Sequence, residues 1–99
     1  MIWHIVRFDM GVLDEATRAS LEDDLAGLTA LEEVAWLRVA RDVDDPAMTG
    51  LMTAFVDYEA LERYRVHPEH VPVVQRVREL GIPSVRLDIA TDDDPATLP

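Results

Sequence analysis

Hydrophobic and polar residues alternate along four short segments of the chain and recur every three to four positions along three others. A period of two is typical of a strand buried on one side, and a period near 3.6 is typical of an amphipathic helix. The first pattern predicts strands over residues 1–8, 34–43, 51–57 and 84–89. The second predicts helices over residues 14–28, 59–65 and 68–80, the last of them ended by Gly81.

This order of elements predicts an α+β fold. The sequence β-α-β-β-α-β is that of the split β-α-β, or ferredoxin-like, arrangement, in which helices cover one face of a four-stranded sheet. Alternation then assigns side chains to faces. For the covered face we predict the residues His4, Val6, Phe8, Leu37, Val39, Val85, Leu87 and Ile89. For the opposite face we predict the residues Trp3, Ile5, Arg7, Val34, Trp36, Arg38 and Arg86.

The composition of the face opposite the helices indicates that another protein surface covers it. Two tryptophans and several aliphatic residues left in water would form an unusually large apolar patch. Arginine together with aromatic residues is also the enrichment found at protein interfaces. We therefore expect a homodimer, in which the sheet of a second copy covers this face.

The charge and composition of the chain argue against several other classes of partner and of chemistry. The chain has 20 acidic and 9 basic residues and a formal net charge of −11, which argues against nucleic acid and membrane surfaces. Cysteine is absent, so disulfides and thiolate chemistry are excluded. Without a basic leader or a long apolar run, we expect a cytoplasmic protein. One domain is predicted over residues 1–90, followed by an acidic, disordered tail over residues 91–99.

The candidate chemistry lies in three histidines and a tyrosine. His70 shares a predicted helix face with Val74 and Val77, and Tyr64 shares one with Leu61, so both should point inward. His4 lies on the covered face of the first strand. We therefore predict a polar cluster between the sheet and the helices.

The residues Tyr64-x-x-His67-Pro68-x-His70-Val71 resemble the hallmark of the Dabb family, the stress-responsive dimeric α/β-barrel proteins. The opening Ile2-x-His4-Ile5-Val6 and Phe55 on the third strand are similar to that family as well. The resemblance spans roughly residues 1–90. It implies a ferredoxin-like subunit whose sheet pairs with that of its mate, with the helices outside.

The resemblance also implies a chemistry, that of polyketide cyclases of the olivetolic acid cyclase kind. There the matching tyrosine and histidine catalyse an intramolecular aldol condensation without a cofactor. Carried over, His70 and Tyr64 are the candidate catalytic residues. Neutral His70 would take a proton from carbon, and Tyr64 would donate a hydrogen bond to the oxyanion. The candidate substrate-binding residues are His4, Phe8, Phe55 and Val74.

Other interpretations stay open at this point. His70 and Tyr64 are also compatible with satisfied polar groups of an ordinary core. His67 precedes a proline, which favours a structural role as a cap. The three histidines do not form a recognisable metal motif, so we expect neither a metal nor a cofactor. The alternatives to a cyclase are a non-catalytic, stress-associated dimer and a cofactor-free monooxygenase acting on aromatic substrates.

Overall fold

The computed structural model describes all 99 residues of the chain. Its strands and helices are β1 (Ile2–Asp9), α1 (Glu15–Gly27), β2 (Trp36–Arg41), β3 (Met48–Phe55), α2 (Tyr58–Arg65), α3 (Val71–Glu79) and β4 (Ser84–Ala90). The strands form one antiparallel sheet in the order β2-β3-β1-β4. The predicted α+β, ferredoxin-like fold is therefore confirmed. No helix is both long enough and apolar enough to cross a membrane.

Local signals explain where the helices begin and end. The side chain of Asp14 accepts a hydrogen bond from the backbone N–H of Thr17 at 2.7 Å, and α1 begins after it. Asp57 caps α2 in the same way through the N–H of Ala60. At the end of α3, Gly81 has a φ of +67°, a conformation that glycine adopts without steric cost. The predicted stop at Gly81 is thus confirmed.

The largest differences between predicted and observed boundaries are three residues, at the start of β3 and at the start of α3. β3 covers Met48–Phe55 instead of residues 51–57, because the carboxylate of Asp42 accepts from two backbone N–H groups and closes a short turn. α3 begins at Val71 instead of Pro68. Residues 68–70 form a separate turn, in which the N–H groups of His70 and Val71 both donate to the carbonyl of His67.

The register of β1 with its neighbours defines the two faces of the sheet. His4 of β1 lies opposite Thr53 of β3 and Asp88 of β4. Because paired residues of antiparallel strands point to the same side, these three share the helix-covered face. The next residue, Ile5, pairs with Met52 and Leu87 on the other side, which we call the open face.

The prediction for the faces of β4 is therefore wrong. Val85, Leu87 and Ile89 lie on the open face, and Arg86 lies on the covered face, the reverse of what we expected. Alternation with a period of two separates the faces of a strand but does not say which one is inside. Here the side chain of Asp88 contacts the buried His4, which orients the polar side of β4 towards the helices.

The core lies between the covered face and the helices. Leu21, Leu25 and Leu28 occupy one side of α1 and the turn after it, at the predicted spacing, and all three are buried. α2 contributes Leu61 and Tyr64, also buried. In contrast, α3 buries a single residue, Val77. The sheet is therefore packed tightly under α1 and α2 and loosely under α3.

The C-terminal segment, residues 91–99, for which the sequence predicts disorder, contacts one end of the open face. The backbone N–H of Thr91 donates to the carbonyl of Met1 at 2.9 Å. The indole of Trp3 donates to Asp93 at 3.2 Å, and that of Trp36 donates to the carbonyl of Pro99 at 2.9 Å. The chain's own tail thus covers part of the face that carries the tryptophans.

Candidate functional site

A cavity of about 320 Å³ lies between α3 and the covered face of the sheet, where the packing is loose. Ten of its 15 lining residues are hydrophobic. The lining residues that carry polar groups are His4, Tyr64, His70, Arg78, Ser84 and Arg86. A largely apolar cavity of this size with a few polar groups is typical of sites for small organic molecules.

Tyr64 is fully buried at the end of α2 and forms one wall of this cavity. Its hydroxyl oxygen has no hydrogen-bond partner among the side chains and backbone groups of the protein. An unpaired buried hydroxyl costs free energy, and this one belongs to a residue that lines the cavity. Burial raises the pKa of Tyr64 well above its usual value, and the hydroxyl therefore keeps its proton at neutral pH.

His70 lies directly against Tyr64, just before α3. The two rings stack with their centroids 4.0 Å apart and their planes inclined by 29°. The Nδ1 atom of His70 is 3.4 Å from the carbonyl oxygen of Arg65, a long contact that favours the tautomer with its proton on Nδ1. Burial of the ring lowers the pKa of His70 below 6.5. At neutral pH the Nε2 atom is therefore an unprotonated acceptor, as a general base must be.

A second histidine of the cavity is held by a carboxylate. The Nδ1 atom of His4, a buried residue, is 2.5 Å from Oδ1 of Asp88 on the neighbouring strand. The other oxygen of Asp88 accepts from the guanidinium of Arg65 at 3.2 Å. Asp88 thereby fixes the orientation of the His4 ring, while Arg65 contacts Asp88 with its side chain and His70 with its backbone.

The structure brings most of the predicted site residues together. His4, Phe8, Tyr64, His70 and Val74 all line the cavity. Phe55 does not line it, contrary to the prediction. Its fully buried ring packs behind that of Tyr64, with the centroids 4.9 Å apart, and it supports the site from outside the cavity.

His67 lies away from the other two histidines. Its Nδ1 atom accepts from the backbone N–H of Glu69 at 3.0 Å, and its Nε2 atom is 3.8 Å from a carboxylate oxygen of Glu33. His67 thus holds the turn before α3, the structural role that the following proline favours. No group of three or more His, Cys, Asp or Glu side chains is arranged to hold a metal ion.

Four polar residues of this region are absent from the sequence prediction: Arg65, Arg78, Arg86 and Asp88. Two of them, Arg86 and Asp88, are missed because β4 is assigned the wrong phase. The polar residues of β4, Ser84, Arg86 and Asp88, alternate with its apolar ones. In the antiparallel register they lie opposite the residues of β1 that share a face with His4. Arg78 follows Val74 by four residues on α3, which places it on the same side of the helix.

Comparison with known proteins identifies relatives of the whole domain. A family model, that of the stress responsive A/B barrel domain (Dabb), matches residues 2–90. No curated protein matches the chain in sequence.

Two solved structures illustrate the likeness in fold. SnoaB, a cofactor-independent oxygenase from Streptomyces nogalater, is 16% identical, with a TM-score of 0.77 and 94% of each chain covered. A dimeric ferredoxin-like protein of unknown function from Jannaschia sp. CCS1 is 22% identical, with a TM-score of 0.68, and the match covers 89% of this chain and 98% of that one.

Proposed function

The chain belongs to the stress responsive A/B barrel domain family, and from this premise we propose that its cavity binds a small, largely apolar organic molecule and catalyses a proton transfer on it. The observation that carries the proposal is the buried, unpartnered hydroxyl of Tyr64 beside the neutral imidazole of His70. A hydrogen-bond donor and a base in contact, on the wall of an apolar cavity, are the two groups that enolisation requires.

The reaction that fits this pair is an intramolecular aldol condensation of the polyketide cyclase kind. The Nε2 atom of His70 takes the proton from a carbon beside a carbonyl, and the electrons of that C–H bond move into an enolate. Tyr64 donates its hydrogen bond to the enolate oxygen. The nucleophilic carbon then forms a C–C bond with the carbon of a second carbonyl of the same molecule, while the π bond of that carbonyl breaks and its oxygen takes up the proton from His70. Elimination of the resulting hydroxyl, together with a second proton from the nucleophilic carbon, releases water and completes the condensation. No cofactor enters this balance.

His4 has a supporting role in this proposal. With its Nδ1 atom on Asp88, its Nε2 atom is left as the ring nitrogen free to contact the bound molecule. Phe8 and Val74 contribute apolar contacts from the sheet and from α3.

The test is α-proton exchange in a simple ketone that fits the cavity, 4-phenyl-2-butanone, followed by NMR in D₂O. We expect exchange above the buffer rate, reduced about 100-fold or more in His70→Ala and Tyr64→Phe, the usual size of general-base and oxyanion effects. His67→Ala is the matched control, because His67 belongs to the same motif but lies outside the cavity. Exchange at the buffer rate, or full activity in His70→Ala, would overturn the catalytic proposal.

A second candidate is a cofactor-free oxygenase. It is supported by the likeness in fold to SnoaB and by the same base, since an aromatic carbanion formed by proton loss is a reductant for dioxygen. This reaction consumes dioxygen, whereas the aldol reaction proceeds without it. Turnover of an aromatic substrate in air that stops under argon would favour the oxygenase. A folded protein that binds ligands without any turnover would favour the non-catalytic alternative.

We also propose that two copies pair through the open face. In the single chain this face leaves Met52, Val85, Leu87 and Ile89 exposed around Ile5. A second sheet of the same composition would remove these side chains from water. The Jannaschia protein, which has the same fold, is described as dimeric.

A further inference from the structure

The mouth of the cavity is cationic. Three of its lining residues are exposed, namely Arg78 on α3 and Ser84 and Arg86 on β4. The inner part contains the buried Tyr64 and His4. The cavity is therefore graded, with guanidinium groups at the entrance and the candidate catalytic groups deeper inside.

The two arginines at this mouth form few ion pairs, although the protein is acidic. The chain has 20 carboxylates for nine arginines and no lysine. Arg76, two residues before Arg78 on the same helix, forms an ion pair with Asp24 of α1. Arg78 has no ion pair, although acidic residues outnumber basic ones across the chain.

Arg86 is held only loosely. Its Nε atom is 3.6 Å from Oδ2 of Asp88, outside hydrogen-bond distance. Asp88 is already engaged by His4 through one oxygen and by Arg65 through the other. The guanidinium donors of Arg78 and Arg86 are thus free to bind a ligand, and a guanidinium suits a carboxylate in particular because its donors form a planar fork.

We infer that the cavity takes an amphipathic carboxylate, an organic acid whose carboxylate pairs with Arg78 and Arg86 at the mouth. Its apolar body would lie against Leu25, Val74 and Val77, towards Tyr64. At about 320 Å³ the cavity is at the small end of ligand sites, which suits one ring with a short alkyl chain. This inference rests on the proposed function and names the substrate class of the same site.

The negative net charge of the protein disfavours the binding of a carboxylate. At −11, the overall field repels anions, so any preference for an acid over its neutral analogue must come from nearby cations. Such a preference is therefore a specific readout of the two arginines.

The experiment compares 4-butylbenzoate with 4-butylbenzamide, a neutral molecule of nearly the same shape, by isothermal titration calorimetry. We expect the benzoate to bind about tenfold more tightly, the usual size of a charge-assisted hydrogen bond. The double variant Arg78→Gln/Arg86→Gln should abolish the preference, so that the benzoate and the benzamide bind it with equal affinity. Arg63→Gln is the matched control, because Arg63 is exposed, has no ion pair and lies outside the cavity.

Each outcome decides between the two proposals. Equal binding of both probes, or a preference that survives the double variant, would overturn the carboxylate inference and leave the proposed cavity function intact. Failure of both probes to bind would overturn both. A preference lost in the double variant and kept in Arg63→Gln would establish the carboxylate site.

Discussion

Neighbouring residues of one strand differ strongly in solvent exposure, because they lie on opposite faces of the sheet. On β3, Leu51 points to the helices and is 3% exposed, whereas the next residue, Met52, points to the open face and is 40% exposed. The covered face has its apolar residues packed under helices, and three of its polar residues, His4, Ser84 and Arg86, line one cavity. The open face has apolar residues in water and only the tail as a cover. This difference agrees with the two proposals above, in which the covered face holds the site and the open face pairs with a second copy.

The largest expected effect concerns packing behind the cavity. Phe55→Ala should lower the free energy of unfolding by about 3–5 kcal/mol, because it leaves a cavity behind Tyr64 that the surrounding core cannot fill. Val56→Ala, at the exposed neighbouring position, should change it by less than about 0.5 kcal/mol. Urea titrations at equal protein concentration provide the measurement. Similar losses in the two variants would show that the covered face is not tightly packed there.

A second change addresses the open face. Leu87→Asp places a charge where we propose that the second copy packs, and it should weaken the dimer about 100-fold, because an unpaired charge is costly to bury. Sedimentation equilibrium measures the dissociation constant. Val43→Asp makes the same charge change at a loop residue that is 95% exposed, and it should leave the dimer intact.

Two results of this experiment would contradict the proposed pairing. One is an unmodified chain that sediments as a monomer at all concentrations. The other is a Leu87→Asp variant whose dissociation constant equals that of the unmodified chain.

The smallest expected effect is the pH dependence that His70 contributes. Since its pKa is lowered in the folded protein, the unfolded chain binds more protons between that pKa and 6.5. Stability should therefore be at its full value above pH 6.5 and decline as the pH falls through the folded pKa. NMR titration of the ring should give a pKa below 6.5, and His70→Gln should remove this part of the decline. A pKa at or above 6.5 would contradict a neutral, desolvated base.

Much of the candidate site could be predicted from the sequence, because the positions of its main residues follow from helix periodicity and from one motif. Tyr64 follows Leu61 by three residues, and His70 precedes Val74 by four, so the spacing predicts that both point inward. The structure places both on the cavity wall. The likeness to the Dabb family suggested the role that we propose for Tyr64 and His70. Local spacing was sufficient for Tyr64, because α2 converts it directly into direction. His70 lies just before α3, but its backbone angles are helical, so the same spacing holds there.

The parts that were missed depend on contacts between distant segments. Asp88 meets His4 across 84 residues of chain, and this contact decides which face of β4 is covered. Phe55 is displaced from the cavity because the ring of Tyr64 lies in front of it. The indoles of Trp3 and Trp36 donate hydrogen bonds to the tail, and the composition of the tail does not reveal these contacts.

The sequence by itself determined the order of strands and helices, the sides of β1 and the inward direction of Tyr64 and His70. These follow from periodicity, which is a property of each segment alone. Only the tertiary structure decided the phase of β4, the cavity under α3 and the arginines at its mouth. Each of these depends on which residues meet once the strands are in register, and a pattern within one strand is compatible with either face until its neighbour is in place.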